Sequence, residues 1–258
     1  MNNLALRTLT GIFLLFVLIG STMQGGILLF LFILFLSIVG VYEFYNAMEK
    51  LNYRPNLYLG IIFAIVLITI NYLGFNKHEG NIIILFSAIL MFILTFKEKL
   101  EINSLFLQVF TMIYIPLSLS RILLLAKSDL VWLIYISAWG TDTFAYIAGN
   151  LFGKHKLAEK VSPKKTIEGS IGGVVGTLIL TFLYAYFMKL DNHITLLLAG
   201  FIGSIVAQLG DLCASKFKRL SNTKDYGYVF LGHGGVLDRF DSVLFTAPFI
   251  YMIYLMFY

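Results

Sequence analysis

Apolar residues run nearly unbroken through most of the chain, and short polar stretches divide them into segments. Runs such as Ile27–Leu36 do not alternate in the period of two that a transmembrane barrel strand requires. A bilayer core about 30 Å thick is crossed by about 20 residues of helix. Unpaired backbone groups are costly in hydrocarbon, so helices are the default. Nine spans are predicted: 4–20, 25–42, 57–74, 81–96, 103–125, 131–150, 170–188, 194–214 and 242–258. The fold class expected is therefore all-α, a polytopic integral membrane protein with about nine transmembrane helices.

Composition agrees with the pattern. Of 258 residues, 59% are hydrophobic and 13% charged, and the mean hydropathy is +0.86. Soluble domains are nearer half apolar and a quarter charged, so a disordered chain, a disulfide scaffold and a water-soluble enzyme are all disfavoured. Cys213 is the only cysteine, which excludes an intrachain disulfide. The net charge of +5 does not indicate a nucleic-acid partner, because the basic residues sit in short segments between apolar runs.

Those basic residues set the orientation. With the N-terminus in the cytoplasm, the inner segments are the start of the chain, 43–56, 97–102, 151–169 and 215–241. Of the 19 Lys and Arg residues, only Lys77, Lys127, Lys189 and Arg121 then fall toward the other side. The first span has Arg7 ahead of its main apolar run but no small-residue cleavage site after it, so it reads as an uncleaved helix. Two regions are expected. Residues 1–130 are apolar helices with short loops, where Glu43 and Asn71 are among the few polar residues at membrane depth. Residues 131–258 carry the chemistry, with long cytoplasmic loops at 151–169 and 215–241. Pro116 and Pro248 lie inside spans and are expected to kink them.

Acids inside a membrane are expensive and point to function by default. Asp142, Tyr146 and Asn150 are four apart and share one face of the sixth span; the bland alternative is an interhelical hydrogen-bond seam. Gln208, Asp211 and Ser215 line one face at the end of the eighth. Asp238 and Asp241 lie three apart at the start of the ninth, on one side of a first helical turn. One of them could cap that helix, but two adjacent acids are better explained by a cation between them. An all-oxygen acidic cluster suits Mg²⁺, which keeps waters and shares phosphate oxygens.

The loop between Asp211 and Asp238 contains Lys218, Arg219, Lys224 and, at its end, Arg239, which together match a polyphosphate. His233 stands before two glycines, which allow backbone amides close approach to phosphate. The positive-inside rule and attraction to anionic lipid heads account for the lysines but not for the aspartates or His-Gly-Gly. The other loop carries Ser162-Pro163-Lys164-Lys165-Thr166, read as a rigid turn with two ammonium groups and two hydroxyls. A glycine-rich helix follows, whose free amides would favour a phosphate. Its Gly169/Gly173 and Gly172/Gly176 pairs equally suit close helix packing.

Ser215-Lys-Phe-Lys218-Arg219, then Lys224-Asp225-Tyr-Gly227, then His233-Gly-Gly-Val-Leu-Asp238-Arg239-Phe-Asp241 resembles the signature of the phosphatidate cytidylyltransferases, or CDP-diacylglycerol synthases. Asp142-Thr-Phe-Ala-Tyr146 and Ser162-Pro-Lys-Lys-Thr-Ile-Glu168-Gly169 resemble further family motifs, and the likeness covers about 130–245. Leu231 stands where the family usually has Pro or Gly, and Tyr226 replaces a commoner small residue.

The resemblance implies that CTP and phosphatidic acid give CDP-diacylglycerol and pyrophosphate. It also implies a dependence on Mg²⁺ (one or two divalent ions, with a monovalent ion also admitted), a helical membrane fold and a homodimer. Asp211 and Asp238 would be metal ligands and Asp241 a supporting one. Lys218, Arg219 and Lys224 are assigned to the CTP phosphates, and Asp225 joins the catalytic group by its place in the motif. His233 would orient a phosphate or donate a proton. Ser162, Lys164, Lys165 and Thr166 would hold the lipid phosphate or the triphosphate, with Asp142, Asn150 and Arg239 also on the substrate side. The active site would face the cytoplasm, at the inner membrane if the source is bacterial. The rival readings are a CTP-dependent polyprenol or phytol kinase, which releases CDP, a cation-coupled transporter, and a scaffold that binds anionic lipid.

Overall fold

A computed structural model describes the backbone of residues 3–95, 102–230 and 234–258, and side chains from residue 11 onward except 93–101 and 231–233. Arg7, Lys97, Lys99 and His233 therefore lie outside the described side chains. The chain divides into two compact units: residues 1–126 with 220–239, and residues 127–219 with 240–258.

In the first unit, α1 (Asn3–Gln24) and α2 (Gly26–Glu49) are joined at Gly25 and Gly26, both with φ near +60°. That conformation is cheap only for glycine. They are followed by α3 (Leu57–Tyr72), a single 3₁₀ turn, α4 (Glu79–Thr95), α5 (Ile102–Met112) and α6 (Ser118–Leu125). A π-helical turn at Ile113–Leu117 separates α5 from α6 and contains Pro116, so the proline is absorbed as a wide turn in a continuing helix. Phe63, Leu67, Leu90 and Met112 form a buried cluster. Polar groups are paired rather than scattered. Gln108 on α5 accepts from the amide of Asn56 at 3.0 Å and donates to its carbonyl at 2.9 Å, while Asn56 caps α3 by accepting from the Leu59 amide. Arg121 and Glu79 form a two-pronged ion pair of 3.1 and 2.5 Å, each side chain about nine-tenths buried. Removing one partner strands the other charge, which typically costs about 3–5 kcal/mol. Arg121→Ala is expected to lower the melting temperature of the detergent-solubilised protein far more than Lys127→Ala. Equal shifts would show that the pair does not hold the helices.

The second unit contains α7 (Val131–Tyr135), a π-helical turn at Ile136–Gly140, and α8 (Thr141–Phe152). A two-stranded antiparallel hairpin follows, β1 (Lys156–Ala158) and β2 (Ser162–Thr166), and then α9 (Ile167–Phe187), α10 (His193–Leu220) and α11 (Leu237–Phe257), the last beginning in the 220–239 segment. The Ser-Pro-Lys-Lys-Thr stretch expected as a turn is thus a strand. A two-stranded hairpin tolerates Pro163 because an edge strand need not donate every amide. Glycines set the helix spacing. A Cβ on Gly172 would lie 2.2 Å from the Ala148 Cβ, and one on Gly176 2.4 Å from the Phe144 Cβ. Thr141 and Thr177 share a 2.7 Å hydrogen bond across the same seam. The glycine pairs therefore serve close packing of α8 on α9.

Each apolar segment expected from the sequence is, among the described residues, helical over most of its length. Among the described residues, five helical segments are long and apolar enough to cross a membrane: α2, α5–α6, α9, α10 and α11. The largest boundary differences occur in the polar region: α10 runs to Leu220 and α11 starts at Leu237, so the loop expected over 215–241 shrinks to 221–236.

Candidate active site

A cavity of about 680 Å³ opens in the second unit. Its polar wall is drawn from α8, the β1–β2 hairpin, α9 and α10, with Lys156 on β1 and Ser170 on α9. Asp142 and Asn150 come from α8, Lys164, Lys165 and Thr166 from β2, and Asp211 from α10. Their meeting follows from small residues. Gly169 of α9 approaches so closely that a Cβ there would lie 2.8 Å from the Ala145 carbonyl oxygen and 3.2 Å from the Gly149 Cα. The strand that leads into α9 is thereby held against α8, which puts its lysines beside the acidic face of that helix.

The Lys165 ammonium pairs with Asp211 Oδ2, and Ser215 donates to Asp211 Oδ1 at 3.3 Å. Gln208, one turn back on α10, donates to the Ser170 carbonyl and ties α10 to α9. Gly210 lets α10 touch α11: a Cβ there would fall 2.9 Å from the Asp241 carbonyl oxygen. Asp241 is buried and accepts the Ser242 amide at 2.7 Å. Its electrostatic neighbours are Asp211, Asp142 and Lys218, and those of Asp142 are Asp211 and Lys165. Three carboxylates that repel one another thus sit among the cations Lys165 and Lys218. Lys218 and Arg219 occupy the last turn of α10, where the helix dipole favours positive charge, and Arg219 also donates to the Val161 carbonyl at 3.4 Å.

The expected phosphate seat at the start of α9 is internally occupied. Thr166 caps the helix by accepting from the Gly169 amide at 3.1 Å, and the Ile167 amide donates to the His155 carbonyl. The Glu168 carboxylate accepts the amides of Lys154 and His155 and pairs with the His155 ring at 2.6 Å. Those amides are spent, and an acid stands beside them, so Lys164 and Lys165 are the better anion-facing groups of this loop. Ser162 pairs with Ala158 in the hairpin and lies outside the cavity lining.

In the first unit, the motif loop folds around two acids. Asp238 Oδ2 accepts the amides of Tyr226 at 2.8 Å and Gly235 at 2.9 Å. Gly234, at φ +86°, makes the turn that allows this. Glu43 of α2 accepts the amides of Val236 and Leu237. In the sequence Glu43 stands out as polar at membrane depth, but no neighbouring motif names its partner. Lys224 and Arg239 are exposed and Asp225 is half-buried.

The residues present fit a divalent cation by donor chemistry. The acids of the second unit offer oxygen alone, and their mutual repulsion favours a cation. Among the described residues no three acidic, His or Cys side chains are gathered closely enough to form a ready cage.

The chain matches the cytidylyltransferase family model over residues 5–257. It is 34% identical to a phosphatidate cytidylyltransferase of Staphylococcus haemolyticus, with 94% of this chain and 95% of that protein covered. Proteins of the same name from Staphylococcus aureus and Staphylococcus epidermidis are 33% and 32% identical at the same coverage.

Proposed function

The chain belongs to the cytidylyltransferase family, and on that footing we propose that it transfers the cytidylyl group of CTP to phosphatidic acid, releasing pyrophosphate. A phosphate oxygen of the lipid bonds to the α-phosphorus of CTP, and the bond from that phosphorus to the bridging oxygen of pyrophosphate breaks. The nucleophile is already an anion at neutral pH, so no strong base is required. The enzyme's task is to bring two polyanions together and to offset the charge that develops between them. The observation that carries this reading is the acid-and-lysine arrangement of the 680 Å³ cavity in a chain related along nearly its whole length to phosphatidate cytidylyltransferases.

In this reading Asp211 and Asp238 would hold a Mg²⁺ ion by their positions in the motif, with Asp241 supporting. When bound, the ion supplies positive charge to the phosphates. Lys164 and Lys165 attract the incoming phosphate, and Lys165 also restrains Asp211. Lys218, Arg219 and Lys224 hold the triphosphate. Asp142 and Asn150 shape the cavity wall, and Asp225, His233 and Arg239 complete the motif. The protein is an integral membrane protein. We assign it nine spans with the N-terminus and the basic loops in the cytoplasm, because that arrangement leaves so few Lys and Arg residues outside. A homodimer is part of the same proposal. The lipid's acyl chains stay in the bilayer while its head group enters the polar cavity.

Purified protein given CTP, phosphatidic acid and Mg²⁺ is expected to release one pyrophosphate per CDP-diacylglycerol formed, and to stop when EDTA removes the metal. Release of CDP instead would favour the lipid-kinase reading, and release without phosphatidic acid would point to simple nucleotide hydrolysis.

A further inference from the structure

A carboxylate in an apolar helix must be explained by what it holds. Glu43 is 2% exposed, and both of its oxygens are spent on backbone. Oε1 accepts the Val236 amide and Oε2 the Leu237 amide, each at 3.0 Å. These amides stand at the start of α11, where donors lack an intrahelical partner and an anion is favoured. Glu43 therefore caps a helix that begins 194 residues later in the chain. The fit leaves no spare room. A Cβ on Gly235 would lie 2.3 Å from Oε1, and one on Gly227 2.2 Å from the same atom. The next residue, Phe44, packs its ring against Tyr226 at 6.3 Å and against Tyr114 at 5.7 Å. From the other side, Asp238 draws in the amides of Tyr226 and Gly235. Two carboxylates thus gather three loop amides and the first amide of α11, and only one of those carboxylates belongs to the motif.

We propose that Glu43 is a positioning residue for the nucleotidyl transfer, acting through backbone alone. By clamping Val236 and Leu237 and filling the space left by Gly227 and Gly235, it fixes the loop that carries Lys224 and the first turn of α11 that carries Asp238 and Arg239. This role in activity rests on the cytidylyltransferase reading of that loop, whereas the clamp itself does not.

The test compares Glu43→Ala, Glu43→Gln, Gly235→Ala and the Glu43→Ala/Gly235→Ala double variant in the full-length, detergent-purified protein. Amide hydrogen exchange and steady-state kinetics are measured together. Glu43→Ala is expected to speed exchange at Val236 and Leu237 by about tenfold while amides of α3 and α5 keep their protection. Turnover at saturating CTP should fall by roughly 100-fold, as a misplaced reacting group does, and Glu43→Gln should recover part of it, since the amide keeps one acceptor. Gly235→Ala should be damaging in the wild-type background and nearly silent beside Glu43→Ala, because the carboxylate it would strike is gone. Unchanged exchange at Val236 and Leu237, or equal cost of Gly235→Ala in both backgrounds, would overturn the clamp. Faster exchange with wild-type turnover would overturn the positioning role. Wild-type protein inactive with CTP and phosphatidic acid would refute the function reading and leave the exchange result to stand on its own.

Discussion

Asp211→Asn is expected to reduce CTP-dependent formation of CDP-diacylglycerol by about a thousandfold or more, the scale seen when a charge-stabilising group is removed from a transition state. The substitution keeps the size of the side chain and an oxygen that can accept from Ser215. It removes the negative charge that faces Lys165 and the repulsion felt by Asp142 and Asp241. Folding should survive, because Asp211 is only half-buried and losing a like charge from an acidic cluster does not destabilise it. Thermal melting of the purified variant checks the fold, and product formation across a Mg²⁺ titration checks the role. Raising Mg²⁺ should recover little, since a neutral amide is a poor ligand for a hard cation. A variant with most of the wild-type turnover would remove Asp211 from the ligand set.

Gly172→Ala is expected to damage the second unit out of proportion to the single methyl it adds. The added Cβ would sit 2.2 Å from the Ala148 Cβ and 3.7 Å from the Ala148 Cα, and neither can rotate away because both are fixed to α8. Overpacking of this kind costs about 1–3 kcal/mol, and α8 and α9 must then separate. Separation also loosens the close approach of Gly169 to Ala145 and Gly149 that seats the lysine strand beside Asp142. Both melting temperature and turnover should fall. The compensating change is Ala148→Gly, which removes the atom that is struck. The double variant should recover melting temperature and turnover together. If Gly172→Ala melts like the wild type, the helices are not packed through this glycine.

Much of this architecture was readable from residue order. The apolar runs predicted where helices would form, because a membrane leaves the backbone no other way to pair its amides along an isolated segment. The aspartates of the cavity stood out because charge at membrane depth needs a reason, and its lysines because two adjacent ammonium groups sit in a short polar loop. The extensions of α10 to Leu220 and of α11 back to Leu237 were less legible, since charged residues such as Lys218 and Asp238 end an apolar run without ending a helix. They suit helix termini, where the dipole rewards them. The hairpin over 156–166 was hidden by Pro163 and the adjacent lysines, which read equally well as a turn. The glycines at 169–176 had two readings at one spacing, and only the position of Ala148 and Phe144 chose between them. Glu43 shows what spacing cannot reveal. Its hydrogen-bond partners are 193 and 194 residues away, so no local motif contains the pair.

Attack on the α-phosphorus of CTP is distinguished from attack on the γ-phosphorus by giving the purified protein phosphatidic acid and Mg²⁺ with CTP labelled in either the α- or the γ-phosphate. Label from the α-position should enter the lipid fraction while label from the γ-position leaves entirely as pyrophosphate. Label from the γ-position in lipid, with unlabelled CDP released, would show phosphoryl transfer and rule out cytidylyl transfer.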